Sequence, residues 1–227
     1  GVTCMQIGLI GGIGPAATDF YYRNLIQKFA SEDVKLEMTI AHADAPTLVN
    51  NLMNNDTDAQ VAIYEVLTER LKDAGADCVA VTSIAGHFCI SDFKAKSTLP
   101  VVDMLLCVQK EIKNNGHTKI GILGTKPVME SKFYGSISTA EVVIPEGKLL
   151  DKVHKAYVDM ATLGSVNDEQ RQVFEIACNQ FINKHNTDAI MLGGTDLALV
   201  YNSENVNFNL IYCAEIHLQE LFEFVKG

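Results

Sequence analysis

Ile7-Gly8-Leu9-Ile10-Gly11-Gly12-Ile13-Gly14-Pro15-Ala16-Ala17-Thr18 carries an apolar run into a glycine cluster and then into a proline. The run from Met5 to Ile10 has the two-sided apolar character of a strand buried in a parallel sheet. Glycines let the backbone turn sharply and let another group approach it closely. Pro15 suits the first turn of a helix, where its missing N–H costs nothing. A strand, a tight turn and a helix N-terminus therefore follow in order. The free N–H groups at that N-terminus predict a small anion, a carboxylate or a phosphate, at Gly12.

Working outward, strands and helices alternate. Phe20, Leu25, Ile26 and Phe29 recur near helical spacing after Pro15, and Val34 to Ala41 alternates as a strand. Ala43 to Asn55, with Pro46 and an Asn-Asn pair, reads as a loop region. Thr57 to Ala74 is a helix stopped by Gly75, Cys78 to Val81 a strand, and a helix follows His87. Val101 to Met104 reads as a short strand and is followed by a helix that stops at Gly116. Lys119 to Leu123 is a strand ending at Gly124-Thr125, Ser131 to Phe133 begins a helix, and Glu141 to Ile144 is a strand. Lys148 to Met160 and Asn167 to His185 are helical, Ala189 to Leu192 and Asn209 to Tyr212 are strands, and Ala214 to Val225 is the last helix. This order predicts a parallel sheet arrangement with covering helices.

The order also repeats. Ile7-Gly8-Leu9-Ile10-Gly11 matches Ile120-Gly121-Ile122-Leu123-Gly124, with Gly8 and Gly121 113 positions apart. Asp77-Cys78-Val79-Ala80-Val81 matches Asp188-Ala189-Ile190-Met191-Leu192, 111 positions on, and Leu99-Pro100-Val101-Val102 resembles Phe208-Asn209-Leu210-Ile211. Matches in the same order at nearly constant offset indicate duplication. The expectation is an α/β protein of two pseudo-symmetric parallel-sheet halves. Residues 5–100 with 208–227 form the first half, residues 101–207 the second, and the ligand cleft lies between them. Ligands bind beyond the carboxyl ends of parallel strands, where Thr82-Ser83 and Gly193-Gly194 would be equivalent.

Of 227 residues, 48% are hydrophobic and 20% charged, an ordinary globular balance. The formal net charge of -10, with no basic cluster, argues against nucleic acid or an anionic membrane as partner. No apolar run is long enough to span a bilayer, and no signal peptide is visible. The cysteines, Cys4, Cys78, Cys89, Cys107, Cys178 and Cys213, form no Cys-x-x-Cys pair and read as reduced core thiols of a cytoplasmic protein. Gly1-Val2-Thr3-Cys4 precede Met5, which reads as a natural start, and carry no assigned role. The scattered histidines show no metal-ligand spacing, and no cofactor is expected. Ser83 with His87 lacks the G-x-S-x-G elbow of a hydrolase. Gly12-Ile13-Gly14-Pro15-Ala16-Ala17 fits G-x-G-x-x-G/A, the dinucleotide fingerprint. Against it, the second strand runs into His42 and Asp44 without a clear acidic residue at its end, and Gly124-Thr125-Lys126-Pro127 does not repeat the fingerprint.

Gly11 to Thr18 resembles the opening motif of the cofactor-independent aspartate/glutamate racemase family. Gly121 to Thr125 is similar to that family's mid-chain strand and turn. Leu192-Gly193-Gly194-Thr195-Asp196 resembles its Leu-Gly-Cys-Thr-Glu signature, and Ile211 to His217 its closing strand and last helix. The resemblance implies a homodimer and a mechanism without pyridoxal phosphate. Two cysteines, one from each half, flank the α-carbon of an acidic amino acid; one thiolate takes the α-proton and the other thiol returns one on the opposite face.

The chain departs from that pattern. Anchoring the family's Cys-Asn-Thr-x-His on His87 puts Ser83 at the first cysteine, and threonine-containing variants would instead favour Thr82. The second cysteine aligns with Gly194, as the internal repeat also pairs Ser83 with Gly194. A hydroxyl needs an activating base that a thiol does not, and glycine has no group to transfer a proton. The run expected to carry a carboxylate-binding arginine is Pro46-Thr47-Leu48-Val49, and an expected lysine is replaced near Thr162-Leu163-Gly164. Cys89 and Cys213 read as buried small hydrophobes; His42 and His217 suit structural roles.

The resulting expectation is an isomerase-type enzyme on a small amino acid or carboxylate. Ser83 and Thr82 are the candidate proton-transfer residues, and Gly12, Thr125, Gly194, Thr195 and His87 the substrate-binding ones. The alternative is a binding or sensing protein that keeps the scaffold without the chemistry.

Overall fold

The opening apolar run does become the central strand of a sheet. The structure, a computed structural model, describes residues 5–227; Cys4 and the three residues before it lie outside the described residues. Strand β1 (Gln6–Gly11) is followed by α1 (Pro15–Ser31), β2 (Glu37–His42), α2 (Ala45–Met53), α3 (Thr57–Asp73) and β3 (Cys78–Val81). A 3-10 turn, Ala85–Cys89, then leads to α4 (Ile90–Lys96). The strands run parallel in the order β2-β1-β3, with Ile7 opposite both Met38 and Cys78. Val101 adds only an isolated parallel bridge to Val79, because Met104 already opens α5 (Met104–Asn114).

The second sheet repeats the plan. Strand β4 (Lys119–Gly124), α6 (Lys126–Glu130), β5 (Glu141–Val143), α7 (Lys148–Leu163) and α8 (Asp168–Asn179) come first. A π-helical turn, Gln180–Lys184, leads to β6 (Ala189–Gly193), a 3-10 turn (Thr195–Leu199), β7 (Asn209–Tyr212) and α9 (Cys213–Lys226). The order is β5-β4-β6-β7, all parallel. Registers match across the repeat: Gly8 sits opposite Val79, and Gly121 opposite Ile190. Asp77 accepts from the Gln6 N–H at 2.6 Å, and its counterpart Asp188 from those of Thr118 at 2.6 Å and Lys119 at 2.9 Å. Each carboxylate pins the amino end of its sheet by the same bond.

Two local expectations are corrected. Residues 43–55 are not a loop: Asp44 caps α2, accepting from the Thr47 N–H at 2.9 Å, and Pro46 falls in the first turn, where it is tolerated. The helix after β4 begins at Lys126, and Lys132, Phe133 and Tyr134 follow it with φ of 53°, 59° and 58°. That left-handed run ends the helix where the sequence suggested a beginning.

The chain separates into two units, one reaching to Asp103 and taking in His217–Gly227, the other Met104–Ile216. β7 is hydrogen-bonded to β6, so it lies in the second sheet. Among the described residues no helix is long and apolar enough to cross a membrane.

His217 holds the end of the chain in the first unit. It is fully buried, with Nε2 2.6 Å from the Val102 carbonyl and Nδ1 2.6 Å from the Tyr21 hydroxyl. Only a neutral ring with its proton on Nε2 can donate to the first and accept from the second. Phe222, further along α9, packs edge-on against Phe29 with centroids 5.1 Å apart. His87 lies beside His217, centroids 6.1 Å apart.

Burial lowers the pKa of both histidines, that of His217 to about 3 with the neighbouring His87 adding to the effect. In the unfolded chain they titrate near the ordinary value of about 6.5. Below that pH the unfolded state binds protons that the folded state does not. The stability these rings contribute is therefore complete above pH ~6.5 and is lost as pH falls toward 3. Each ring adds a slope of at most about 1.4 kcal/mol per pH unit. Urea unfolding between pH 7 and 4 is expected to show falling stability, with a shallower fall in His217→Gln. An equal slope in the variant would contradict the assignment.

Candidate active site

The carboxyl ends of β1 and β3 form the first candidate region. Gly12 has φ of +88°, and a β-carbon there would run into the His42 imidazole and the Ala43 carbonyl, so only glycine fits the turn. Its N–H donates to Thr18 Oγ1 at 2.8 Å, and Thr18 donates on to the Gly14 carbonyl at 3.1 Å. The N–H expected to face an anion is thus satisfied within the turn. Thr82 is fully buried; its hydroxyl donates to the Ile10 carbonyl at 3.2 Å and lies 3.3 Å from Thr18 Oγ1. In this structure Thr82 closes the end of the sheet.

Ser83 Oγ accepts from the Gly86 N–H at 3.0 Å, capping the 3-10 turn, and its carbonyl lies 2.5 Å from His87 Nδ1. A carbonyl only accepts, so Nδ1 carries the proton and Nε2 is left with a lone pair. That nitrogen is buried and has no hydrogen-bond partner among the described residues. Burial keeps the ring neutral. Cys89 is buried, and burial pushes its thiol up to about 12. Cys213 is fully buried and pushed up further by the same cause. Neither is a thiolate at neutral pH, the form that reacts.

The second unit builds a different end. Thr125 follows β4 and Thr195 follows β6, and neither buried hydroxyl has a partner among the described residues. Leaving a buried hydroxyl unpaired costs about 1–3 kcal/mol. These two lie at the ends of adjacent strands, β4 and β6. Helix α7 places His154 and Tyr157 one turn apart on this side: His154 Nδ1 accepts from the Lys126 N–H at 2.8 Å, and the Tyr157 hydroxyl donates to Asp196 Oδ2 at 3.0 Å.

Gly194 lies beneath that tyrosine. A β-carbon built on Gly194 would lie 2.3 Å from both Cζ and the hydroxyl oxygen of Tyr157, a severe clash. The volume that a side chain at 194 would take is filled by the phenol. Burial raises the pKa of Tyr157 well above the ordinary phenol value, and the Asp196 carboxylate adds to the rise. Burial also raises Asp196, partly opposed by the bond from Tyr157.

The sequence groups Gly12, Thr125, Gly194, Thr195 and His87 around one ligand; in the structure Thr125 follows β4, and Gly194 and Thr195 follow β6. It gave no role to Tyr157 or Asp196. Asp196 stood inside the quoted Leu192–Asp196 motif, and its adjacency to a glycine in a duplicated turn was the available signal. Tyr157 carried none, since an aromatic on an amphipathic helix reads as core. Among the described residues no group of three His, Cys, Asp or Glu side chains could hold a metal ion.

Adding a side chain at 194 is expected to overpack the site. Gly194→Ala should cost about 1–3 kcal/mol, and much of that cost should disappear in the double variant with Tyr157→Ala. A double-mutant cycle by urea unfolding measures the coupling. Strictly additive effects would contradict the contact.

The sequence matches the family model described as Asp/Glu/Hydantoin racemase over residues 10–221. Among solved structures, the chain is similar to a Yersinia pestis protein assigned to the Asp/Glu racemases, with a TM-score of 0.88 and 23% identity, covering 98% of this chain and 100% of that one. It is similar to an aspartate racemase homologue from Pyrococcus horikoshii, with a TM-score of 0.83 and 23% identity over 98% of this chain and 99% of that one. It also resembles a Francisella tularensis glutamate racemase solved with D-glutamate, with a TM-score of 0.68 and 15% identity, covering 98% of this chain and 81% of that one. At these identities the structures speak for the α/β fold, and the family match covers nearly the whole sequence. The chain belongs to the Asp/Glu/hydantoin racemase family.

Proposed function

We propose that this protein is a racemase-type isomerase that exchanges the α-proton of a small amino acid or related carboxylate without pyridoxal phosphate. The observation that carries the reading is the pair of buried, unpartnered hydroxyls of Thr125 and Thr195 at adjacent strand ends. A carboxylate offers only acceptors, and such hydroxyls offer the donors it needs. The relative from Francisella tularensis was solved with D-glutamate, an α-amino carboxylate of the class proposed. A homodimer, as the family resemblance implies, is part of the same reading.

The proton-transfer groups differ from paired thiols. Ser83 and Gly194 stand where the resemblance expects cysteines. In the first unit the Ser83 carbonyl fixes the His87 tautomer and leaves Nε2 with an unshared lone pair beside that turn. A neutral imidazole with a bare nitrogen can accept a proton, though burial, which lowers the pKa of this ring, makes it a weak base.

The second reading is a carboxylate-binding protein without turnover. Its specific support is that Ser83 Oγ is already engaged by the Gly86 N–H, and that Cys89 and Cys213 are buried and protonated. Incubation in deuterated water with a panel of D- and L-amino acids, followed by NMR, separates the two. The isomerase reading expects deuterium at Cα and loss of optical purity for one substrate class. Ligand-induced thermal stabilisation with no exchange above background would favour the binding protein.

A further inference from the structure

We propose that Tyr157 and Asp196 form the proton-transfer pair of the second unit, the phenol standing where Gly194 leaves out a side chain. This inference rests on the isomerase reading and assigns the group on one face of its substrate carbon. It stands on three features of one turn. A β-carbon on Gly194 would lie 2.3 Å from the Tyr157 hydroxyl, far inside contact distance, so the phenol crowds out any residue-194 side chain. The same hydroxyl donates to Asp196 Oδ2 at 3.0 Å, which orients it and gives its proton a destination. The buried Thr195 hydroxyl, between Gly194 and Asp196 in sequence, has no partner among the described residues and is free to hold a substrate oxygen.

The pair works as a relay. The substrate Cα–H bond breaks and its proton passes to the Tyr157 oxygen, while the phenol's own proton moves to Asp196 Oδ2. The electron pair remains on the substrate carbon and delocalises into its carboxylate. Reprotonation on this face runs the same transfers in reverse, from Asp196 through Tyr157 to Cα. Atoms and charge balance without an oxidant, a reductant or a cofactor, and no phenolate forms. Asp196 carries the negative charge before the transfer and is neutral after it, when the charge lies on the substrate, and burial already raises its affinity for a proton. Tyr212 faces the same carboxylate from β7, and Tyr157 faces it from α7.

The test compares wild-type protein with Tyr157→Phe and Asp196→Asn in the deuterium-exchange assay, using whichever amino acid the wild type exchanges. Tyr157→Phe keeps the ring over Gly194 and removes only the oxygen. Asp196→Asn keeps an acceptor for the phenol and removes the base. Each is expected to lower kcat for exchange by about 100-fold or more, with KM nearly unchanged and unfolding midpoints within a few degrees of wild type. Wild-type exchange that persists in both variants overturns the pair and leaves the isomerase reading intact. A raised KM with unchanged kcat also overturns it, because it marks a binding role. Absence of exchange in the wild type overturns the isomerase reading and the pair together. If either variant unfolds, the other decides; if both do, Asp196→Glu, expected to retain measurable exchange, replaces them, and its complete inactivity as a folded protein counts against the relay.

Discussion

The two central strands are each hydrogen-bonded on both edges by parallel neighbours, β1 by β2 and β3, and β4 by β5 and β6. A parallel pair cannot be closed by a tight hairpin, so the chain must leave every carboxyl end and return through a crossover. Irregular backbone and small polar side chains therefore gather at the carboxyl ends, where the ladder no longer absorbs their hydrogen-bonding groups. In the first unit those groups are absorbed locally: the Gly12 N–H by Thr18, the Thr82 hydroxyl by Ile10, the Ser83 hydroxyl by Gly86. In the second unit the Thr125 and Thr195 hydroxyls are left over. One scaffold, used twice, yields two ends of different chemistry.

That scaffold was legible because its signals are local and repeat. Two-sided burial makes Ile7 to Ile10 and Ile120 to Leu123 apolar throughout, and the glycines that end them recur at a fixed offset. Asp77 and Asp188 fell into the matched segments before their shared bonding role was visible. Helix α2 was hidden because its capping sequence, Asp44-Ala45-Pro46-Thr47, has the composition of a turn; the same residues that break a helix in its interior start one at its end. The placement of β7 could not be read from chain order, since pairing is decided by which edge of which sheet is open. Only the register of Ile190 with Leu210 assigns it.

The site was less legible because its decisive contact joins residues distant in sequence. Gly194 announced a missing side chain, and the sequence could not say what fills the gap. Tyr157 lies on a helix whose buried residues, Val153, Ala156, Tyr157 and Met160, follow ordinary amphipathic spacing. Its meaning comes from the glycine beneath it and the carboxylate beside it, and both arrive through the crossover into β6. His87 shows the converse. Its place at a strand-end turn was visible in the sequence, but the tautomer that leaves Nε2 unprotonated depends on a backbone carbonyl, which no residue type reports.

Burial has opposite consequences for the two kinds of acid found here. A thiol must ionise to accept a proton, and burial opposes ionisation, which raises the pKa of Cys89 and Cys213. A phenol bonded to a carboxylate accepts one proton while surrendering another, so the rise in its own pKa is no obstacle. The cost of burial falls instead on the carboxylate, where it moves Asp196 upward toward the range in which a general base operates well. The environment that would silence a cysteine at this turn is the one that makes a phenol and a carboxylate usable together. Loss of the side chain at 194 and capture of its space by Tyr157 are then two sides of a single change.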